Sequence, residues 1–444
     1  MGVVGLGREG LALSRFLASV GARVLATDDK PLPALSPEVR ALAEIAELRL
    51  GGLSAEVLDV DTCFVSPGVP LDVPMLARAV AEGVPLWNEP GLLLWLCPGR
   101  VVGVTGSSGK STTAALTAAM AEADGQRTYL GGNIGRPLIE SVGNMRPEDV
   151  VVLELSSFQL ELVRHSPAVA AITNITPNHL DRHRTMEAYT EAKTGVFRYQ
   201  TAAGVAVLNA DDHASAGLAG RCPGEVHWFG RKASRAPGAY LVGRTIVVRT
   251  ADGASCQVCA VDEMGLIGEH NVSNALAACA LGAALGLSAE AMAGAARRFQ
   301  GLPHRLEKVA EVAGVVYYND SIATTPERSL AALRAVKEPV VLLAGGRDKH
   351  LPWEQWVTEV AERVRAVVAF GEAGAMLEDL LGRAGVRVSR ARGLAEALAL
   401  AASLARPGDA VLLSPGGTSY DEFRDFEARG EEFRRLVLEA KAET

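Results

Sequence analysis

The sequence predicts an α/β protein of three domains, each built on a mostly parallel sheet. Three observations predict it. Short apolar runs such as "VVGLG", "VVVLEL" and "PVVLLAGG" alternate with helical stretches, and that alternation gives parallel strands with helices on the sheet faces. Glycine-rich turns follow strands near Gly5 and near Gly106. The chain has 444 residues, 48% hydrophobic and 22% charged, enough for about two to four domains.

The first block opens with strand "VVGLG", helix Gly10 to Val20, strand "ARVLATD" and turn "VSPGVP", and runs to about "WNEPG". The second begins at "GVTGSSGKSTT". Strand Val101 to Val104 precedes that loop and an Ala-rich helix, Ser111 to Ala123, follows it. Strands "VVVLEL" and "AVAAITNI", a helix from Met186 to Gln200 and a β-rich stretch from Val226 to Val261 come next. Helices Asn271 to Leu285 and Ala289 to Arg298 close the block. The third block starts near "GLPHR", and its strands end in "NDS", "GGRDK" and "SPGGTS". In doubly wound sheets ligands sit at such C-terminal strand ends.

Composition excludes several classes. A net charge of -8 argues against a nucleic-acid binder. No apolar run reaches spanning length, and "MGVVGLGREG" has no basic leader or cleavage site. A cytoplasmic protein without membrane insertion is therefore expected. Cys63, Cys97, Cys222, Cys256, Cys259 and Cys279 are scattered. The one close pair, "CQVC", lacks a second pair or a nearby His, so reduced thiols are expected.

The loop "TGSSGKSTT" is built to hold phosphate. Its glycines let backbone N–H groups crowd around an anion, and the helix start adds partial positive charge. Lys110 would reach the β- and γ-phosphates, and Ser111 would face magnesium. Val104 stands where a strict Walker A motif has its first glycine. The bland alternative is a glycine turn with a chance Gly-Lys-Ser.

"GLGREG" places Gly5, Gly7 and Gly10 in the dinucleotide fingerprint. Asp28 and Asp29 follow about twenty residues later, where a ribose-binding acid would sit. Any ligand with a pyrophosphate suits that turn. Glu154 ends strand "VVVLEL", where it can ligate magnesium or simply face water. His179 and Asp181 lie in a polar turn after "AVAAITNI". Lys193, inside a helix, reads from physics alone as a solvated surface lysine. Asn271 and Asn274 share one helical face near a helix start, where capping accounts for one of them. Arg305 in "PHR" could bridge to nucleotide phosphates.

Taken together, "GLGREG", "SPGVP", "TGSSGKSTT", "GGNIGRPL", "LELSSFQLE", "NITPNHLDRH", "EAKTGVF", "EHNVSNALAA", "GLPHRLE", "NDSIATT", "GGRDK" and "SPGGTSYDEFRDFEARG" resemble the ATP-dependent Mur ligases of peptidoglycan synthesis. "SSFQLE" and "SYDEFRDFEARG" resemble their glutamate-adding branch. The resemblance covers essentially the whole chain. It implies an N-terminal Rossmann-like UDP-binding domain (1–89), a central P-loop ATPase-type domain with a small added β region (90–299), and a C-terminal Rossmann-like glutamate-binding domain (300–444).

It also implies an activity and its residues. ATP would phosphorylate the carboxylate of UDP-N-acetylmuramoyl-L-alanine, and D-glutamate would displace the phosphate. Gly106, Ser107, Ser108, Gly109, Lys110, Ser111 and Thr112, with Asn271, Asn274, Arg305 and Asp320, would bind ATP. Gly5, Gly7, Arg8, Glu9, Asp29, Lys30, Ser66, Pro67, Gly68, Asn133 and His179 would meet the UDP substrate. Thr324, Lys349, Ser419, Tyr420 and Phe426 would take glutamate. Ser111, Glu154, His179 and Lys193 would hold two magnesium ions, Lys193 as a carbamate made with carbon dioxide. Lys110, Glu154, His179 and Lys193 would be the catalytic set, in a monomer.

Two departures stand out. Ser107 and Ser108 replace the usual Thr and Asn of the loop, a mild change where backbone groups bind. Ile322 in "NDSIATT" stands where many members carry a lysine, which removes a positive charge and leaves the L-glutamate-adding relative as an alternative. A sibling ligase or folylpolyglutamate synthetase shares the ATPase core. A nicotinamide dehydrogenase shares only "GLGREG".

Overall fold

The computed structural model describes residues 1–442. The chain divides into two compact units. One comprises Met1–Met264 with His270–Arg298, and the other takes Gly265–Glu269 and the chain from Phe299 onward.

The first unit contains two sheets. The N-terminal sheet has order β3-β2-β1-β4-β5, with β1 Gly2–Val4, β2 Leu25–Asp28, β3 Glu47–Leu50, β4 Cys63–Val65 and β5 Leu86–Trp87. All its pairings are parallel. Strand order reverses beside β1, which opens a crevice at the C-terminal strand ends. "GLGREG" and "SPGVP" both lie there.

The central sheet has order β14-β13-β12-β11-β10-β9-β6-β8-β7. Its strands are β6 Arg100–Thr105, β7 Thr128–Gly132, β8 Val150–Glu154, β9 Val169–Ile172, β10 Val205–Asn209, β11 Glu225–Gly230, β12 Gly238–Val242, β13 Thr245–Arg249 and β14 Ser255–Ala260. From β7 to β12 the pairings are parallel; β13 and β14 add an antiparallel edge. β8 is buried throughout, with Val150 to Leu153 fully inaccessible, and a Val or Leu so buried contributes about 1.5–3 kcal/mol. That packing fixes the strand end carrying Glu154. Helix Lys110–Ala123 is rich in Ala and has no internal Gly or Pro, so it forms readily and packs closely on the sheet.

The second unit holds the sheet β15-β16-β20-β17-β18-β19. Its strands are β15 Glu307–Val312, β16 Val315–Asn319, β17 Val340–Gly345, β18 Val364–Phe370, β19 Val388–Arg390 and β20 Ala410–Gly416. Only the β15–β16 pairing is antiparallel. The loops after β16, β17 and β20 are "NDSIATT", "GGRDK" and "SPGGTS", as the strand-end argument expects.

Some elements differ from the sequence reading. The helix expected to reach Gln200 ends at Thr194, where Gly195 and a run of turns follow. Strands β3, β7, β15 and β19 carry no long apolar run, and their neighbours hold them in place. Among the described residues no helix is long and apolar enough to cross a membrane.

Candidate active site

The loop after β6 is shaped by its neighbours. Gly106 has φ +149 and Gly109 has φ +79. A Cβ would lie 1.9 Å from Thr173 Oγ1 at the first and 2.2 Å from Asn274 Oδ1 at the second. Only glycine fits either position. Thr173 Oγ1 donates to the Ser108 carbonyl at 2.6 Å, and Ser108 N donates to Asn174 Oδ1 at 3.0 Å. The Ser107 hydroxyl donates to the Thr176 carbonyl at 2.9 Å and lies 3.0 Å from the Tyr189 hydroxyl. Gly109 gives the following helix no side-chain cap, which leaves its first N–H groups aimed into the loop, as an anion site requires.

Two lysines converge on this loop. Lys110 Nζ donates to the carbonyls of Gly106 and Ser107 at 3.0 and 3.2 Å. Lys193 Nζ donates to the same Gly106 carbonyl at 2.8 Å and lies 4.5 Å from the Tyr189 ring centre. Lys193 is 1% exposed. Burial, and then the Lys110 charge, push its pKa down to about 6, with Glu154 opposing. The solvated-surface reading of Lys193 is therefore wrong. Its helix turns this face inward.

Glu154 is 2% exposed, so it does not face water. Its Oε1 accepts from Asn133 Nδ2 at 2.7 Å, while Oε2 is buried with no hydrogen-bond partner. A buried polar oxygen left without a partner is costly. Among the described residues no group of three or more His, Cys, Asp and Glu is placed to hold a metal ion. The unpartnered Glu154 oxygen nevertheless suits a hard cation.

His179 has φ +54 and meets the edge of the Phe158 ring, centres 5.0 Å apart. The other side of the motif is committed as well. His183 stacks on Phe158 at 5.1 Å and 10° and lies 2.9 Å from Ser157 Oγ. Asn274 lies inside helix Glu269–Leu285, and Asn271 in its first turn. Asn274 Nδ2 donates to Asn271 Oδ1 at 2.9 Å.

At the N-terminal sheet's crevice lies a cavity of about 520 Å³. Gly5, Gly7, Arg8, Glu9, Asp29, Lys30, Ser66, Pro67, Gly68 and Asn133 all line it; His179 is not among its lining residues. Asp28 also lines it, but its carboxylate accepts from Leu6 N at 2.7 Å and Lys30 N at 3.0 Å. It therefore locks the glycine turn, and Asp29 is the freer acid. Glu9 Oε1 accepts from Gln159 Nε2 at 2.6 Å, and burial raises the Glu9 pKa to about 7. Glu89 is buried nearby and pushed up to about 8 by burial and then by Glu9.

In the second unit, Asp320 is buried, accepting from Ser414 Oγ at 2.9 Å and Leu306 N at 3.1 Å. Burial raises its pKa to about 7. Lys349 Nζ lies 3.4 Å from Thr324 Oγ1, and burial, then Arg328, lower its pKa. Ser419 is buried while Tyr420 is exposed. Arg429 is fully buried and donates to the Ser321 and Gly417 carbonyls at 2.8 and 3.2 Å. It ties the loops after β16 and β20 together. The Phe426 carbonyl accepts from Ser321 Oγ at 2.8 Å.

Three family models match this chain: the Mur ligase MurD-like N-terminal domain over residues 1–88, the Mur ligase middle domain over 104–282, and the Mur ligase glutamate ligase domain over 304–417. The UDP-N-acetylmuramoylalanine–D-glutamate ligase of Symbiobacterium thermophilum is 42% identical over 98% of this chain and 97% of its own. The chain belongs to the Mur ligase family. A second Mur ligase of the same name, from Pelotomaculum thermopropionicum, is 42% identical over 99% of this chain and 97% of its own. The crystal structure of the UDP-N-acetylmuramate-alanine ligase of Thermotoga maritima shares the fold, with TM-score 0.62 and 21% identity, covering 100% of this chain and 99% of that one.

In this Mur ligase the first unit gathers Gly106 to Thr112, Asn274 and Lys193 around one loop, and Asn133 pairs with Glu154. Arg305 and Asp320 belong to the second unit. Sequence reasoning missed the supports: Thr173, Asn174, Tyr189, Gln159, Arg182 and Arg429. Arg182 and Gln159 sit inside motifs quoted for the resemblance, but no spacing rule announces a residue that holds another in place.

Proposed function

We infer that this chain is an ATP-dependent amide ligase that adds D-glutamate to UDP-N-acetylmuramoyl-L-alanine. The near full-length match to relatives of that name carries the reading. We assign its working domains to residues 1–89, 90–299 and 300–444.

A carboxylate is a poor electrophile. In the proposed reaction a substrate carboxylate oxygen attacks the γ-phosphorus of ATP, and ADP leaves. The glutamate amine then attacks the acyl carbon, the amine proton goes to solvent, and inorganic phosphate leaves with the acyl C–O bond electrons. Positioning and charge neutralisation supply most of the acceleration. We assign the cavity at the N-terminal sheet to the UDP moiety. Lys110 and the loop N–H groups are assigned to the ATP phosphates, Asn271, Asn274, Arg305 and Asp320 to the rest of ATP, and Thr324, Lys349, Ser419, Tyr420 and Phe426 to glutamate.

Magnesium suits Ser111, Glu154, His179 and a carbamate on Lys193. When bound it supplies positive charge at the transferring phosphoryl group. The buried Lys193 amine, with its pKa lowered to about 6, is neutral at pH 7 and nucleophilic. Its nitrogen adds to carbon dioxide, a proton is released, and the carbamate provides two oxygens that share one negative charge. Those oxygens would add hard donors to the Glu154 carboxylate, which a bare ammonium cannot do.

The test is product formation by the purified chain with UDP-N-acetylmuramoyl-L-alanine, ATP, magnesium and either D- or L-glutamate, read by mass. The D-glutamyl amide should appear with one phosphate released per bond. Product from L-glutamate alone, or ATP hydrolysis without amide, would overturn the reading.

A further inference from the structure

Arg182 is three residues beyond His179, in a helix of one turn, Leu180–His183. Its side chain is one-fifth exposed. Its guanidinium lies over the Phe158 ring, 4.2 Å from the ring centre. From there Nη1 donates to the Pro67 carbonyl at 2.6 Å and Nη2 to the Val69 carbonyl at 3.0 Å. Those two carbonyls belong to "SPGVP", the wall of the N-terminal cavity. The opposite role falls to the Phe158 ring, which carries His183 in a stack and His179 at its edge. Glu161 Oε2 lies 3.9 Å from Nη2, too far for a hydrogen bond.

We propose that Arg182 is a positioning residue for the nucleotide substrate, clamping the cavity wall at Pro67 and Val69 to the Phe158–His179 turn so that a ligand in the cavity presents its far end at His179. The proposal rests on the assignment of that cavity to the UDP moiety. The physical argument is geometric. A planar guanidinium can stack flat on a ring and still direct the two N–H groups of its rigid fork at two carbonyls, a geometry that a single ammonium nitrogen does not reproduce. Each donor is charged, which makes these stronger than neutral hydrogen bonds. The two segments joined are 113 to 115 residues apart in sequence, so no local turn holds them in register.

The test uses the full chain and steady-state kinetics with Arg182→Lys, Arg182→Ala and Phe158→Leu. Loss of charge-assisted hydrogen bonds predicts a KM for UDP-N-acetylmuramoyl-L-alanine raised about 10- to 100-fold in both Arg182 variants. The KM for ATP and for glutamate should stay within about twofold. Adding Phe158→Leu to Arg182→Ala should cost less than Phe158→Leu costs alone, because the ring and the guanidinium share one contact. Millimolar guanidinium ion should restore part of the lost affinity in Arg182→Ala and none in Arg182→Lys. A Lys variant with unchanged KM overturns the proposal, as does a loss in kcat shared evenly by all three substrates or full additivity with Phe158→Leu. If the wild-type chain itself neither binds nor ligates the UDP substrate, the cavity assignment fails rather than the clamp.

Discussion

Lys193 Nζ lies 2.8 Å from the Gly106 carbonyl oxygen, inside the phosphate loop. A buried lysine whose main contact is a backbone carbonyl is an unstable place for a charge, and burial accordingly drives its pKa to about 6. Lys193→Ala is expected to lower the ligation rate by at least about 100-fold, the scale of losing a main electrostatic contributor. Acetate or formate should restore part of it by replacing carbamate oxygens. Intact-mass analysis and rates in carbon-dioxide-free and bicarbonate buffers check this. A fully active enzyme bearing a free amine in both would sink the carbamate.

Gly109 is one of two tight points of the loop. A methyl group there meets Asn274 Oδ1 and also strains a left-handed backbone. Gly109→Ala is expected to destabilise the fold by about 1–3 kcal/mol and to weaken ATP binding. Adding Asn274→Ala should relieve the clash but not the strain, so the double variant should recover only part of the lost Tm. Full recovery would show that the left-handed conformation costs nothing here.

The carboxyl of Glu89 is held protonated, its pKa raised from 4.5 to about 8 by burial and by Glu9. Between those values the unfolded chain releases a proton that the folded chain keeps. The unfolded state then binds fewer protons, so stability falls as pH rises. This contribution is fully present below pH 4.5 and is lost by the time pH has passed about 8. Glu89→Gln, which cannot ionise, should flatten the fall of Tm across this window. Glu9 and Asp320, each raised to about 7, add slope of the same sign that remains in this variant. Thermal scans of both proteins at several pH values decide it, and identical slopes would refute it.

Lys349 stands beside Thr324 after β17, partly desolvated. Ile322 occupies a neighbouring position without charge. Removing one partner of a desolvated charge pair costs about 2–5 kcal/mol. Lys349→Ala should therefore raise the KM for glutamate by about 100-fold or more and leave the KM for ATP nearly unchanged. Equal losses for both substrates in steady-state kinetics would assign Lys349 to another task.

Much of the architecture was readable because its signals are local. Runs such as "VVVLEL" and "PVVLLAGG" are apolar enough to be buried strands by themselves. "TGSSGKS" between a strand and an Ala-rich helix announces an anion site. Strand β19 was not readable, since it has three residues and gains its pairing from its neighbour. Helix length after Met186 was also missed, because Val196 and Phe197 continue the apolar pattern past the stop signal at Gly195.

The site shows the same division. Residue types and order by themselves determined the phosphate loop, the glycine turn at Gly5 and the placing of "NDS", "GGRDK" and "SPGGTS" at strand ends, because hydrogen-bond geometry and side-chain period act over a few residues. Only the tertiary structure decided that Lys193 is a buried amine rather than a surface charge, that Glu154 keeps an unpartnered oxygen and that Arg182 reaches Pro67 and Val69. Desolvation and long-range hydrogen bonds depend on what packs around a group, and for these three the surroundings come from segments far away in the chain.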